Sequence, residues 1–338
     1  MLVRVQSRAQ INFMKKLLFI SLFSAVTFWA CENDKKAEKA EKAEIIEETT
    51  EDVLPLKEEI IHSDGIKLYT AVYGKGKPLI FLSSPGYLSS RFYITYVQSI
   101  FPDYQIITMD YRGTGKSDFP KDSVFSLEKY AADVELLINK YVKDSCIIFA
   151  HGFGALPSIM TASVSPEKIS HLIFSNPFPL TSISYNNRMQ EMISKRSEEM
   201  TGELFNLYKS KEFKQGDSAA VMKVFSLEMS QLIDPLAKDY LLKDIRLNAQ
   251  ELKNLEFIKS MNEKALLKYD LTSQAEKIAE PILMFRGDLD FLSLPTAEEY
   301  QAACKNILVH NVPGSVHFTY IENPDFVKRE IQKFLSEN

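Results

Sequence analysis

Cysteine is scarce in this chain of 338 residues: Cys31, Cys146 and Cys304 are the only three, with neither even pairing nor CxxC spacing. That pattern excludes a disulfide framework and a zinc site built on closely spaced thiols, so no metal is expected. A stripe of Lys and Arg interleaved with aromatics is also missing, and the net charge is −5 with a sequence pI near 5.7. Nucleic acid is therefore not an expected partner. No repeat of solenoid length occurs, and no apolar run reaches the ~20 residues of a membrane-spanning helix. What is present is 45% apolar and 25% charged residues, an ordinary globular composition with enough chain for one large domain or two small ones.

The N-terminal segment stands apart. From Met14 a short basic start at Lys15 and Lys16 leads into the apolar run Leu17 to Ala30, followed by Cys31 and polar residues. The run is too short for a span and suits the core of a signal peptide. It resembles a bacterial lipoprotein signal, which implies cleavage before Cys31, lipid on its thiol, and a chain anchored to a membrane of the cell envelope, outside the cytoplasm on the periplasmic or surface face. Ala30 is the small residue wanted before the cut, whereas Phe28 and Trp29 are bulkier than usual. Residues 1–13 then precede the working start at Met14. Cleavage would remove Arg4, Arg8, Lys15 and Lys16 and no acid, taking the charge from −5 to −9.

Residues 31–57 follow as a Lys, Glu and Ala-rich stretch containing KAEKAEKAE, which buries little and reads as a tether. After it the pattern alternates. Strands are expected over Ile66–Tyr73, Leu79–Leu82, Gln105–Met109, Cys146–Ala150 and His171–Phe174, and helical spacing over Tyr87–Phe101, Ser126–Val142 and Phe153–Ser163. This cadence implies crossover connections and a mostly parallel sheet with helices on both faces. It covers residues 58–177, stops for a helical insertion over 178–278, and resumes over 279–338 with Ile282–Phe285, Thr296–Ala303, Ile307–Val312 and Pro324–Leu335. Six of the 11 methionines fall in the insertion: Met189, Met192, Met200, Met222, Met229 and Met261. They suit gap-filling between helices, or an adaptable roof over a pocket.

Several segments carry a chemical pattern. Asp110-Tyr-Arg-Gly-Thr-Gly-Lys-Ser117 ends in Gly-Lys-Ser, but a phosphate loop needs Gly where Asp110 stands and a helix opening at Lys116, which Asp118, Phe119 and Pro120 do not supply. The strand over 146–150 runs into Ala150-His-Gly152-Phe-Gly154. Pro281 to Asp290 includes an apolar strand and the turn Gly287-Asp-Leu-Asp290, and Pro313-Gly-Ser-Val-His317 precedes Glu322-Asn-Pro324. In order and spacing these segments resemble the alpha/beta-hydrolase superfamily, its proline iminopeptidase and esterase branch in particular, over roughly residues 66–335.

That resemblance implies an alpha/beta-hydrolase fold with a helical cap formed by the insertion. It makes Asp290 and His317 the acid and base of a triad, and Gly152 the nucleophile position at the centre of a G-x-S-x-G elbow. The flanking Ala150 and Gly154 fix that centre, because centring the turn on His151 would place Phe149 and Phe153 where bulk is excluded. Gly152 tolerates the strained turn but carries no nucleophilic oxygen. The oxyanion loop departs too, with Leu82-Ser83-Ser84-Pro85-Gly86 in place of H-G-G-P-G. Backbone N–H groups of Ser84 and Phe153 are the candidate oxyanion donors, unless the side chains at 83 and 84 crowd the hole. Ser84 would serve as a surrogate nucleophile only within hydrogen-bond reach of His317.

Two functions follow from these residues. In one, the domain binds a small apolar or amphipathic ligand with no acyl-enzyme chemistry. In the other, His317 and Asp290 act as a general base on water or on a substrate proton, in a hydrolase or lyase taking an ester, amide or peptide-like substrate. A third class, a lipid-anchored scaffold in an envelope assembly, has only the tether behind it. No cofactor is implied and no protein partner is named by any motif.

Overall fold

The structure, a computed structural model, describes residues 54–85, 90–120, 125–234, 266–290 and 293–338. The signal segment, Cys31, nearly all of the tether, Gly86 and residues 235–265 of the cap, Met261 among them, lie outside the described residues.

Eight strands form one sheet in the order β1-β2-β4-β3-β5-β6-β7-β8. They are β1 (Lys57–Ser63), β2 (Ile66–Tyr73), β3 (Lys77–Leu82), β4 (Tyr104–Met109), β5 (Cys146–His151), β6 (Ile169–Ser175), β7 (Ile282–Gly287) and β8 (Ile307–Val312). β1 pairs antiparallel with β2 and β2 with β4; every other pairing is parallel. The central strands are apolar without alternation because helices cover both faces: all six residues of β5 are buried. β1 is the element the sequence does not announce. Its KEEIIHS leaves mostly charged residues exposed at a sheet edge, and reads as an extension of the charged tether.

The longer helices are α1 (Arg91–Ile100), α2 (Leu127–Tyr141), α3 (Ala155–Val164), α4 (Ser182–Ser194), α5 (Glu198–Lys209), α6 (Ser218–Met229), α7 (Ser293–Ala303) and α8 (Pro324–Glu337). Local chemistry sets several starts. The side chain of Ser126 accepts from the Lys129 N–H to open α2, Asn323 accepts from the Phe326 N–H ahead of Pro324 in α8, and Asp217 caps α6. Helices α4 to α6 belong to the insertion, as its spacing predicts. Its five described methionines are half-buried and Met189 packs against the main core. Cys146 and Cys304 are buried and unpaired, Cys146 lying within a strand as a small apolar residue would.

Parallel register decides where function can sit. Leu82 pairs with Ala150, His151 with Ser175, Ser175 with Phe285 and Gly287 with Val312. The carboxyl ends of β3, β5, β6, β7 and β8 therefore emerge side by side, and the loops they feed carry residues 84, 152, 176, 290 and 317 to one edge of the sheet.

The Asp110 to Ser117 segment has a structural role there. Asp110 accepts from the N–H and hydroxyl of Ser90 at 3.1 and 2.8 Å and from the Lys116 N–H at 2.9 Å. Arg112 forms a buried two-point pair with Asp133 of α2, Nε to Oδ2 at 2.7 Å and Nη2 to Oδ1 at 2.5 Å. Tyr111, Tyr130 and Phe153 meet edge to face with ring centroids 5.2 to 5.9 Å apart, so the segment underpins the residue that follows Gly152.

Candidate active site

β5 stays extended through His151, at φ −112° and ψ 134°, and the chain then turns at Gly152 with φ +56°. This puts the bend at Gly152 and not at His151. A left-handed φ suits glycine, which has no Cβ to crowd the backbone. Two residues on, any side chain at Gly154 would run into the carbonyl of Leu82 on the neighbouring strand, which explains the small flank.

The space beside Gly152 is taken. A Cβ built on residue 152 would overlap the hydroxyl oxygen of Ser84 and come within 3.6 Å of Cε1 of Phe178. The Ser84 hydroxyl accepts from the Phe153 N–H at 2.9 Å and donates to the His151 carbonyl at 3.3 Å. The donors expected to converge on a ligand oxygen are thus arranged differently: the N–H of Phe153 is bonded to Ser84 itself. Nor is the Ser84 hydroxyl hydrogen-bonded to an imidazole, as a surrogate nucleophile would require.

His317 and Asp290 do come together at this edge, both buried, with Nδ1 of His317 3.8 Å from Oδ2 of Asp290. That is ion-pair range but beyond hydrogen-bond reach. Nδ1 of His317 has no hydrogen-bond partner among the described residues. The same Oδ2 accepts from Nδ2 of Asn176 at 2.8 Å and faces Nη2 of Arg188, on α4, at 3.7 Å.

Asn176 holds the corner. It sits at φ +43°, donates from Nδ2 also to the Val316 carbonyl at 2.8 Å, and accepts from the Gly287 N–H at 3.1 Å, joining the ends of β6 and β7 to the His317 loop. Below that loop, Glu322 accepts from Val316 N–H (2.8 Å), the Ser315 hydroxyl (3.0 Å) and Asp234 N–H (2.6 Å). Burial pushes its carboxyl up to about 7, with these hydrogen bonds opposing. Sequence reasoning misses Asn176, Arg188 and the bracing role of Glu322. The Asn-Pro pair just after a buried strand is a signal for a special backbone position at 176; nothing in the helical spacing of the cap marks Arg188.

A second imidazole lies alongside. The rings of His151 and His317 are 4.7 Å apart at 61°, and Nδ1 of His151 is 3.1 Å from the Ser175 carbonyl. Burial pushes His317 below the ordinary histidine range, with Asp290 opposing and Arg188 adding to the shift. Burial and the neighbouring His317 push His151 well below it. Both rings are therefore neutral bases near pH 7. A histidine whose folded pKa lies below its unfolded value near 6.5 contributes stability that is present above 6.5 and lost as pH falls. Thermal melts at pH 7.5 and pH 5 should show a larger acid-induced fall in Tm for the wild type than for His151→Gln. Parallel pH profiles for the two would contradict a buried neutral His151.

The alpha/beta hydrolase fold family matches residues 79–324. The chain belongs to that family. It is 25% identical over 280 residues to a proline iminopeptidase of Heyndrickxia coagulans, covering 78% of this chain and 92% of that protein. It is 20% identical to a putative esterase/lipase of Haemophilus influenzae, covering 70% and 75% of the two chains. Among solved structures, the proline iminopeptidase of Mycobacterium smegmatis superposes with a TM-score of 0.58 at 13% identity, over 83% of this chain and 98% of that one, a likeness of fold alone. The hydrolase-fold architecture expected from the sequence is thereby established, with its mostly parallel eight-stranded sheet.

Proposed function

We propose that this alpha/beta-hydrolase-family chain is a pseudoenzyme that holds a small apolar or amphipathic ligand between cap and sheet and forms no acyl-enzyme. The observation that carries this is the Ser84 hydroxyl lodged where the side chain of residue 152 would begin, bonded to the Phe153 N–H. One substitution removes the oxygen that would attack, and the other occupies a donor that would stabilise the resulting oxyanion. Loss of a triad nucleophile costs on the order of 10^6 in turnover, leaving about 10^3 to 10^4 over water where the oxyanion hole survives. Here that remnant is itself compromised. The esterase and peptidase relatives support a small-molecule ligand. The N-terminal sequence supports attachment to an envelope membrane through lipid on Cys31.

One observation favours the second reading, in which His317 acts as a general base: its imidazole is neutral and turns Nδ1 towards Asp290, which leaves Nε2 to take a proton. General base catalysis supplies about 10^2 to 10^4, enough for a reactive substrate. The two are separated by p-nitrophenyl acetate, butyrate and octanoate together with prolyl p-nitroanilide, tried on wild type and His317→Ala. The pseudoenzyme predicts the two proteins at the same background rate on all four. Wild-type turnover that disappears in His317→Ala would overturn it in favour of the general base.

A further inference from the structure

Among the described residues of the cap, a cation reaches into the site. Arg188 projects from α4 with its side chain only 10% exposed. Nη1 donates to the Pro177 carbonyl at 3.1 Å and to the Thr296 hydroxyl at 3.2 Å. Nη2 faces Asp290 at 3.7 Å, an ion pair without a hydrogen bond. The Nε–H and Nη2–H donors, the edge of the guanidinium that grips a carboxylate at two points, have no acceptor among the described residues. Neither nitrogen of that edge is a sealed, unsatisfied donor, so the edge keeps accessible surface on which a carboxylate can seat at two points.

Its surroundings define what else a ligand would meet. Tyr185, one turn earlier on α4, lies against Phe178 with ring centroids 5.2 Å apart, and Phe178 in turn borders the space beside Gly152. Helix α4 therefore lines the same corner as Gly152, Asp290 and His317 with aromatic surface and one cation. Asp290 balances that charge but directs Oδ2 to Asn176. The two nearby imidazoles are neutral and add no competing charge. Tyr185 is likewise uncharged, its hydroxyl pushed up to about 12 by burial.

We propose that Arg188 is the anchor of a binding site for a small organic carboxylate, with the ligand's apolar body against Phe178 and Tyr185 and its carboxylate on the Nε and Nη2 edge. This rests on the small-ligand function proposed above and names the chemical class of that ligand. A bidentate arginine–carboxylate pair discriminates strongly against a neutral isostere, because the amide brings a donor to a donor and no charge.

Calorimetric titration of the full chain with three matched pairs tests this: hexanoate and hexanamide, 3-phenylpropionate and 3-phenylpropionamide, 4-phenylbutyrate and 4-phenylbutyramide. The acid of at least one pair should bind on the order of tenfold to a hundredfold more tightly than its amide. That preference should vanish in Arg188→Gln and be partly kept in Arg188→Lys, which retains charge but not the fork. Acid and amide binding the wild type equally would overturn the carboxylate site while leaving the small-ligand function standing. Absence of binding by all six would overturn both. The acid-to-amide comparison on wild type decides the matter even if a variant at 188 fails to fold.

Discussion

Gly152→Ser alone is expected to yield a less stable protein that is still inactive. The new residue must adopt φ near +56° and place a Cβ onto the Ser84 hydroxyl. The left-handed backbone costs about 1–2 kcal/mol for a residue with a Cβ, and forcing atoms into an occupied space costs about 1–3 kcal/mol. Pairing it with Ser84→Gly removes the overlap and releases the Phe153 N–H, but leaves the backbone cost. The double variant should regain part of the lost stability and gain ester turnover of about 10^2-fold or more over wild type, short of the 10^6 associated with an intact triad. The shortfall follows from the 3.8 Å between His317 and Asp290, which leaves the imidazole without the hydrogen bond that fixes its tautomer. Urea melts and p-nitrophenyl butyrate assays on the two single variants and the double form a complete cycle. A single Gly152→Ser variant as stable as wild type would show that Ser84 does not fill that space.

The largest loss of stability is expected at Arg112. Its guanidinium and the Asp133 carboxylate are both essentially inaccessible, and the Ser63 hydroxyl donates to the same Oδ1 at 2.6 Å. Truncating either partner strands a buried charge. Arg112→Ala and Asp133→Ala should each lose about 3–5 kcal/mol by urea unfolding. Arg112→Met combined with Asp133→Leu should lose less than either, since apolar side chains of similar volume leave no unpaired charge behind. Losses that simply add would mean the pair is not coupled. Because Tyr111 precedes Arg112, Tyr130 lies one turn before Asp133 on α2, and both pack on Phe153, the effect is also expected to reach the bend at Gly152.

Sequence patterning shows the frame of this molecule well and its contacts poorly, for a physical reason. Buried parallel strands must be apolar along their whole length, so β5 and β7 stand out, and the strand-to-helix bend is pinned by the small residues at 150 and 154. The order of Gly152, Asp290 and His317 then locates the corner where the strands end. What that order does not contain is which side chain fills a gap. Ser84 and Phe153 are 69 positions apart, and only the parallel register of β3 and β5 brings the hydroxyl of one to the N–H of the other. Arg188 is hidden similarly: it is one polar residue in an amphipathic helix, and its inward position depends on how the cap sits on the sheet. β1 was obscured because an exposed edge strand tolerates the same charges as a tether.

We propose that the hydroxyl at 84 fills the space of a side chain at 152 without taking over its chemistry. Incubation of the wild-type chain with a fluorophosphonate, followed by intact mass and peptide mapping, tests this directly, with Gly152→Ser/Ser84→Gly as the positive comparison. No adduct is expected on the wild type and an adduct at residue 152 is expected in the double variant; covalent label on Ser84 of the wild type would overturn the pseudoenzyme reading.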